Sequence, residues 1–386
     1  MKRSLERILT SHVGALPRDK ALMELFAAKA PASALEPALR ESVAEIVEKQ
    51  IEVGVDVVND GEFGKPMSSE VDYGAWLNYS HDRLTGFEER VAAGPIPNLF
   101  SGSRDFKEFA AFYASDREMG TTMQRRMKVN IGPITYTGHD AMRRDIENLK
   151  AALKGARSDD AFISSLSTGI GFMPSEYYAH EDDLAAATAN AMREEYKMIT
   201  EAGFNVQLDD PIIVNQFELA YSMEWDIAGY RKWAGRHVEV VNASLEGIPE
   251  DKVRYHVCWG SWKGPHSADA PLRDIIDIMI KVKAQLYSVE AANPQHEHEW
   301  KVWRDVKLPP GRMVMPGVVT HKTHILEHPE LVADRLLKYA DVLGRENVIA
   351  GTDCGMGGRI HPSLCWAKLK AMSDGAEIAS KQLWGR

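Results

Sequence analysis

Four residues in the second half of the chain, His256, Cys258, Glu290 and Cys354, are the ligand types that bind zinc. Zinc accepts imidazole nitrogen, thiolate sulfur and carboxylate oxygen in a tetrahedron, so this mixture would satisfy a single Zn2+ ion. His256 and Cys258 lie two apart in "YHVCWG", and residues i and i+2 of a strand share one face, which would set an imidazole and a thiol side by side. Taken alone, each element has a bland reading: a His-x-Cys on a strand is more often buried packing, and a cysteine after a strand is more often a small buried hydrophobe. The spacing favours the joint reading. Cys258 and Glu290 are 32 residues apart, and Glu290 and Cys354 are 64 apart, which correspond to one and two strand-plus-helix repeats.

The repeats themselves are visible as short apolar runs alternating with helical stretches. Candidate strands end at "ILTSHVG", "VDVVNDGE", "AFISSLSTG", "FNVQLDD", "VRYHVCWG", "LYSVEAAN", "MVMPGVVTH" and "NVIAGTDCG", with helices such as "PLRDIIDIMIKVKAQ" and "HPELVADRLLKYADVLG" between them. Strand followed by helix, repeated, implies a parallel sheet, and eight units predict a (β/α)8 TIM barrel, which needs about 250 residues. A ninth candidate, "KVNIGPITYTG", follows an irregular segment at 84–105 and a helical stretch at 105–118. It is assigned to an excursion after the second strand, roughly 65–140, outside the barrel wall of one domain spanning 1–386. The alternative, an open doubly wound sheet, lacks its usual fingerprint, since no G-x-G-x-x-G opens a helix.

Composition narrows the partners. The chain has 386 residues, 44% hydrophobic and 26% charged, ordinary globular usage that excludes disordered and fibrous classes. Its net charge of −10 repels nucleic acid and anionic lipid. No apolar run approaches the roughly 18 residues of a membrane span, and "MKRSLERILTSHVG" lacks the apolar stretch of a signal peptide, so a cytoplasmic location is expected. Three dispersed cysteines, Cys258, Cys354 and Cys365, argue against a disulfide framework and for a reducing compartment. The expected partners are small molecules, with other copies of the chain as the remaining candidate.

Chemistry in such barrels gathers at the carboxyl ends of the strands. The polar residues there are His12, Asn59–Asp60–Gly61–Glu62, Asp209–Asp210, His256 with Cys258, Glu290, His321 with Lys322, and Asp353–Cys354. Adjacent residues on a strand face opposite ways, so only one of Asp209 and Asp210 can enter the pocket, and Asp209 is taken as that one. His324 and His328 in "HKTHILEH" are not expected to hold a second metal, "QHEHEW" reads as a solvated rim loop carrying His296 and His298, and Cys365 reads as core.

These residues resemble a known family. "HVC", "SVEAANP" and "GTDCG" look like the zinc ligands of the cobalamin-independent methionine synthases, specifically of their catalytic carboxyl-terminal barrel, and "TSHVGALPR", "VNDGE" and "QLDDP" extend the likeness to nearly all eight strands. The wording is closer to the single-barrel branch, which includes epoxyalkane:coenzyme M transferase. The resemblance implies that His256, Cys258, Glu290 and Cys354 bind zinc, and that Glu290 leaves the metal when a thiol arrives. It implies that His12, Gly14, Asn59, Glu62 and Asp209 line the acceptor site, with Glu62 and Asp209 holding an amino group. The expected reaction is transfer of a methyl or alkyl group to a thiol, with a methyltetrahydrofolate-type donor and homocysteine or a related thiol. The alternatives are addition of a thiol to an epoxide and a non-catalytic zinc-binding barrel. The family's proton-donating histidine falls at Lys322, with His321 beside it, so one of this pair is expected to be the general acid. Where the family has a serine that helps bind homocysteine, this chain has Ala15, and no residue matches the aromatic platform for the folate ring.

Overall fold

The computed structural model describes residues 1–67, 79, 82–91, 103–115, 126–168, 174–222, 225–262 and 264–385. In chain order its strands are β1 (Leu9–Thr10), β2 (Val57–Asn59), β3 (Phe87–Val91), β4 (Arg126–Asn130), β5 (Asp160–Leu166), β6 (Asn205–Asp210), β7 (Val253–Val257), β8 (Leu286–Val289), β9 (Met313–Val319) and β10 (Ile349–Thr352). Eight of them make one sheet in the order β1-β10-β9-β8-β7-β6-β5-β2, with every neighbouring pair parallel. The two ends of that order nearly meet: Asp56 N donates to Thr10 O at 3.1 Å. This is the expected (β/α)8 barrel.

Period-two alternation explains why these strands build a wall with two different faces. On β6, Val206 and Leu208 join the large outer core beneath the helices. The intervening Gln207 faces inward and donates to Asp209 Oδ1 at 2.8 Å and to Val13 O. On β9, Val314 and Val318 pack outward, whereas Met313 and Met315 fill the barrel with Leu9, Val13, Leu286 and Ile349. Arg254 on β7 lies inside as well, its guanidinium 3.6 Å from the Phe162 ring centroid and donating to Ser11 Oγ and His12 O.

The helices are α1 (Lys20–Ala27), α2 (Ala32–Glu52), α3 (Arg104–Glu108), α4 (Ala110–Ser115), α5 (His139–Ala152), α6 (Glu181–Glu201), α7 (Ile212–Ser222), α8 (Ile227–Ser244), α9 (Leu272–Met279), α10 (Pro329–Leu343) and α11 (Pro362–Trp384). Their ends follow local chemistry. The side chain of His328 accepts from Glu330 N ahead of Pro329 in the first turn of α10, and Gly344 with φ +86° closes its carboxyl end. His328 is exposed, as is His324. α11 packs back on β1, β9 and β10. Among the described residues no helix is long and apolar enough to cross a membrane.

The excursion after β2 carries β3 and β4, which pair antiparallel with each other, outside the barrel. "KVNIGPITYTG" therefore begins in a strand outside the wall, as expected. The segment read as irregular, 84–105, instead contains β3. Its "FEERV" has three charges in five residues and none of the β-branched richness that signals a strand, and a remote partner, not local propensity, decides its conformation. Arg83 ties the excursion to the barrel helices through Asp145 on α5 at 2.8 Å and Glu195 on α6 at 3.1 Å, all three buried.

Candidate active site

Strand register sets the site. Asp209 is level with His256, and His256 with Ser288, on the adjoining strands β6, β7 and β8. One residue beyond β7, Cys258 reaches Cys354 just past β10, with the sulfurs 3.3 Å apart. The donor atoms of His256, Cys258 and Cys354 lie within 4.8 Å of one another. His256 Nδ1 is 3.1 Å from Ser288 Oγ, whereas its buried Nε2 has no hydrogen-bond partner. That is how a ligating imidazole is prepared: one nitrogen fixes the ring and the other keeps its lone pair. Gly260 N approaches Cys258 Sγ at 3.4 Å and Ser261 Oγ approaches Cys354 Sγ at 3.2 Å, donors that suit thiolates. The hydrogen bond from Cys258 lowers the Cys354 thiol well below the usual range, with the neighbouring His256 helping, and the same contact together with burial raises Cys258. Three convergent soft donors, one of them an orphaned imidazole nitrogen, fit zinc.

Glu290 is placed beside this triad but is engaged elsewhere. Its Oε1 accepts from Trp259 N at 3.0 Å, and its Oε2 accepts from Asn293 Nδ2 at 2.9 Å and meets Lys322 Nζ at 2.9 Å. Burial raises its pKa despite Lys322, and the pair in turn holds the Lys322 ammonium charged against burial. Asp353 anchors the same loop by accepting from Ala291 N and Ala292 N at 2.7 and 2.8 Å and from Asn293 at 3.1 Å. Gly317 makes room for it, since a Cβ there would stand 2.0 Å from Asp353 Oδ1.

The remaining predicted residues fall into two groups. Glu62 and Asp209 come together: burial first, then the charge of Glu62, raises the Asp209 carboxyl to about 7. Gly14 lies against them with φ +137°, 2.2 Å from Glu62 Oε1 if it carried a Cβ. His12 and Asn59 instead brace the wall. His12 Nε2 is 2.8 Å from Gln50 Oε1 and its Nδ1 accepts from Gly14 N, so burial keeps the ring neutral, with its pKa lowered to about 4. Asn59 donates to Gly14 O and accepts from Gly61 N. Asp210 turns outward to His237, Tyr255 and Ser167.

His321 is buried with neither ring nitrogen hydrogen-bonded, and burial lowers its pKa to about 4. His296, read as part of a solvated rim, is buried between Asp269 at 3.0 Å and Glu299 at 2.9 Å; only His298 is exposed. Glu299 of the same segment and Asp269 from the loop after β7 hold it inward where solvation was expected. Cys365 is core, as expected. Ser288, Asn293 and Lys65 were not singled out as site residues, and Asp353 was placed at a strand end without a role. For Ser288 a signal existed, since it lies two residues before Glu290 in "SVE".

A parallel (β/α)8 barrel with a His/Cys/Cys cluster, a candidate metal site, at the carboxyl ends of its strands is the architecture of a barrel enzyme. Residues 173–378, more than half of the chain, match the family described as cobalamin-independent synthase, catalytic domain, and the chain belongs to that family. It is 25% identical over 384 residues to a methionine synthase of Sulfolobus acidocaldarius, covering 97% of this chain and 93% of that one. It is 22% identical over 408 residues to a 2-hydroxypropyl-CoM lyase of Xanthobacter autotrophicus, covering 97% and 96%. The fold is shared with a B12-independent methionine synthase from Shewanella sp. W3-18-1 solved with selenomethionine, at a TM-score of 0.71 and 19% identity over 98% of this chain and all of that one.

Proposed function

We propose that the protein is a zinc-dependent methyltransferase that moves a methyl group from a tetrahydrofolate-type nitrogen to the sulfur of homocysteine or a related thiol. The observation that carries this reading is the convergence of His256, Cys258 and Cys354 within 4.8 Å while His256 Nε2 lacks a partner. Zinc held there would lower the pKa of an incoming thiol while leaving its sulfur nucleophilic. With Glu290 held by Lys322 and Trp259, His256, Cys258 and Cys354 would hold the zinc, and a set of three protein donors is that of catalytic rather than structural zinc.

The other residues act around that centre. Glu62 and Asp209 receive the acceptor's ammonium group, which relieves the repulsion between two buried carboxylates. In the transfer the carbon–nitrogen bond of the donor breaks, a carbon–sulfur bond forms, and the thiol's proton is balanced by one delivered to the leaving nitrogen. We assign that delivery to Lys322, because burial keeps His321 neutral whereas Glu290 keeps Lys322 charged. A reducing cytoplasm suits the chemistry, since both site cysteines are free thiols.

The test supplies zinc-loaded protein with methyltetrahydrofolate plus homocysteine in one assay and epoxypropane plus 2-mercaptoethanesulfonate in another, following thiol loss. Turnover with the first pair, abolished by Cys258→Ser, is expected. Turnover with the second pair alone would overturn the methyl-transfer reading.

A further inference from the structure

Lys65 is a buried ammonium that the reading above does not use. Its backbone is fixed by the loop after β2: Lys65 N donates to Glu62 O at 3.0 Å, and Arg18 donates to the carbonyls of both Lys65 and Glu62 at 2.5 Å. The side chain is 7% exposed, and its Nζ lies 3.5 Å from Glu62 Oε2 and 4.8 Å from the centroid of the Tyr79 ring. Nζ makes no hydrogen bond, although an ammonium carries three N–H donors. A lysine this buried with its donors unused is aimed at something that the protein alone does not supply.

The charges around it say what. Glu62 and Asp209, with Asp60 beside Glu62, are three buried carboxylates faced by Lys65 and His256. A ligand with only an anionic group would add negative charge to a site that already has an excess. A ligand with only an ammonium group would serve the carboxylates and leave the lysine's donors unsatisfied. A zwitterion fits both, and the 3.5 Å between Lys65 Nζ and Glu62 Oε2 suits an ammonium and a carboxylate borne on one carbon.

We propose that Lys65 is the receptor for the carboxylate of the acceptor and so restricts the acceptor to α-amino-acid thiols. This rests on the thiol-acceptor reading above. The test measures binding of L-homocysteine, 3-mercaptopropylamine, 4-mercaptobutyrate and 2-mercaptoethanesulfonate to zinc-loaded protein by calorimetry, for the wild type and for Lys65→Met. The wild type should bind homocysteine about 10–100-fold more tightly than 3-mercaptopropylamine, the range for a charge-assisted hydrogen bond. Lys65→Met should bind these two alike, with its affinity for 3-mercaptopropylamine undiminished; a merely structural lysine would weaken all four thiols together. A wild type that does not distinguish homocysteine from 3-mercaptopropylamine overturns the proposal without recourse to the variant. So does a Lys65→Met protein that keeps the discrimination, or a wild type that prefers the sulfonate. Failure of the zinc-loaded wild type to bind any of the four would instead overturn the thiol-acceptor reading, and this proposal with it.

Discussion

Replacing Gly14 by alanine should disable acceptor binding without touching the metal. Gly14 has φ +137°, and an added Cβ would lie 2.2 Å from Glu62 Oε1 and 2.5 Å from Ser164 Oγ. Real Cβ atoms do not approach neighbours below 3.0 Å, so the Glu62 carboxylate must retreat by about 1 Å, a misplacement that lowers turnover about 10²-fold when the displaced group positions substrate. That factor corresponds to about 2.7 kcal/mol of lost transition-state stabilisation. The backbone adds strain of its own, about 1–3 kcal/mol for a residue with a side chain held in this region. None of the atoms that the new methyl meets belongs to His256, Cys258 or Cys354. The assay therefore has three readouts: kcat/KM with the thiol varied, zinc per chain by elemental analysis, and Tm by calorimetry. Gly14→Ala should keep its zinc, lose a few degrees of Tm and fall about 10²-fold in kcat/KM. A kcat/KM within twofold of wild type would refute the placement of Glu62 in the acceptor pocket, and loss of zinc would refute the separation of the two subsites.

Two further outcomes follow from the surroundings of the site. Ser288→Ala removes the hydroxyl 3.1 Å from His256 Nδ1 and should weaken zinc binding about 10–100-fold in a chelator competition, the usual effect of losing a ligand's orienting partner; unchanged affinity would mean that Ser288 does not orient the ring. His296 titrates near 9: burial opposes its charge, but Asp269 and Glu299 raise its pKa above the ordinary 6.5. Its contribution is therefore complete below pH 6.5 and is lost as pH rises through 9, up to about 3 kcal/mol. His296→Gln should show a flatter stability profile than wild type across that window in denaturant titrations, and parallel profiles would contradict the assigned pairing.

The barrel was legible because each wall strand is a short apolar run followed by a helix, and the metal triad was legible because His256, Cys258 and Cys354 stand at the ends of those runs. What could not be read was which way a polar residue at a strand end turns. His12 and Glu62 look equivalent in sequence, yet Gln50 of α2 takes the imidazole of His12, while Asp60–Gly61 announces a turn but nothing announces that Glu62 shares its positive φ. Glu290 has the right spacing for a ligand, and only the fold reveals that Lys322, 32 residues on, meets its carboxylate at 2.9 Å. Lys65, three residues after Glu62, carries no sequence signal of burial, which depends on Tyr79 and on Arg18 pinning the loop, contacts with no local signature. β3 was hidden for the same reason: its partner, β4, is distant in sequence.

The most direct test of the central claim is zinc K-edge X-ray absorption on the zinc-loaded protein before and after addition of homocysteine. The three donors His256, Cys258 and Cys354 predict two sulfur neighbours at about 2.3 Å beside nitrogen or oxygen. Addition of the thiol should raise the sulfur count by one. A shell that stays the same at saturating thiol, or one with no sulfur at all, would contradict the account.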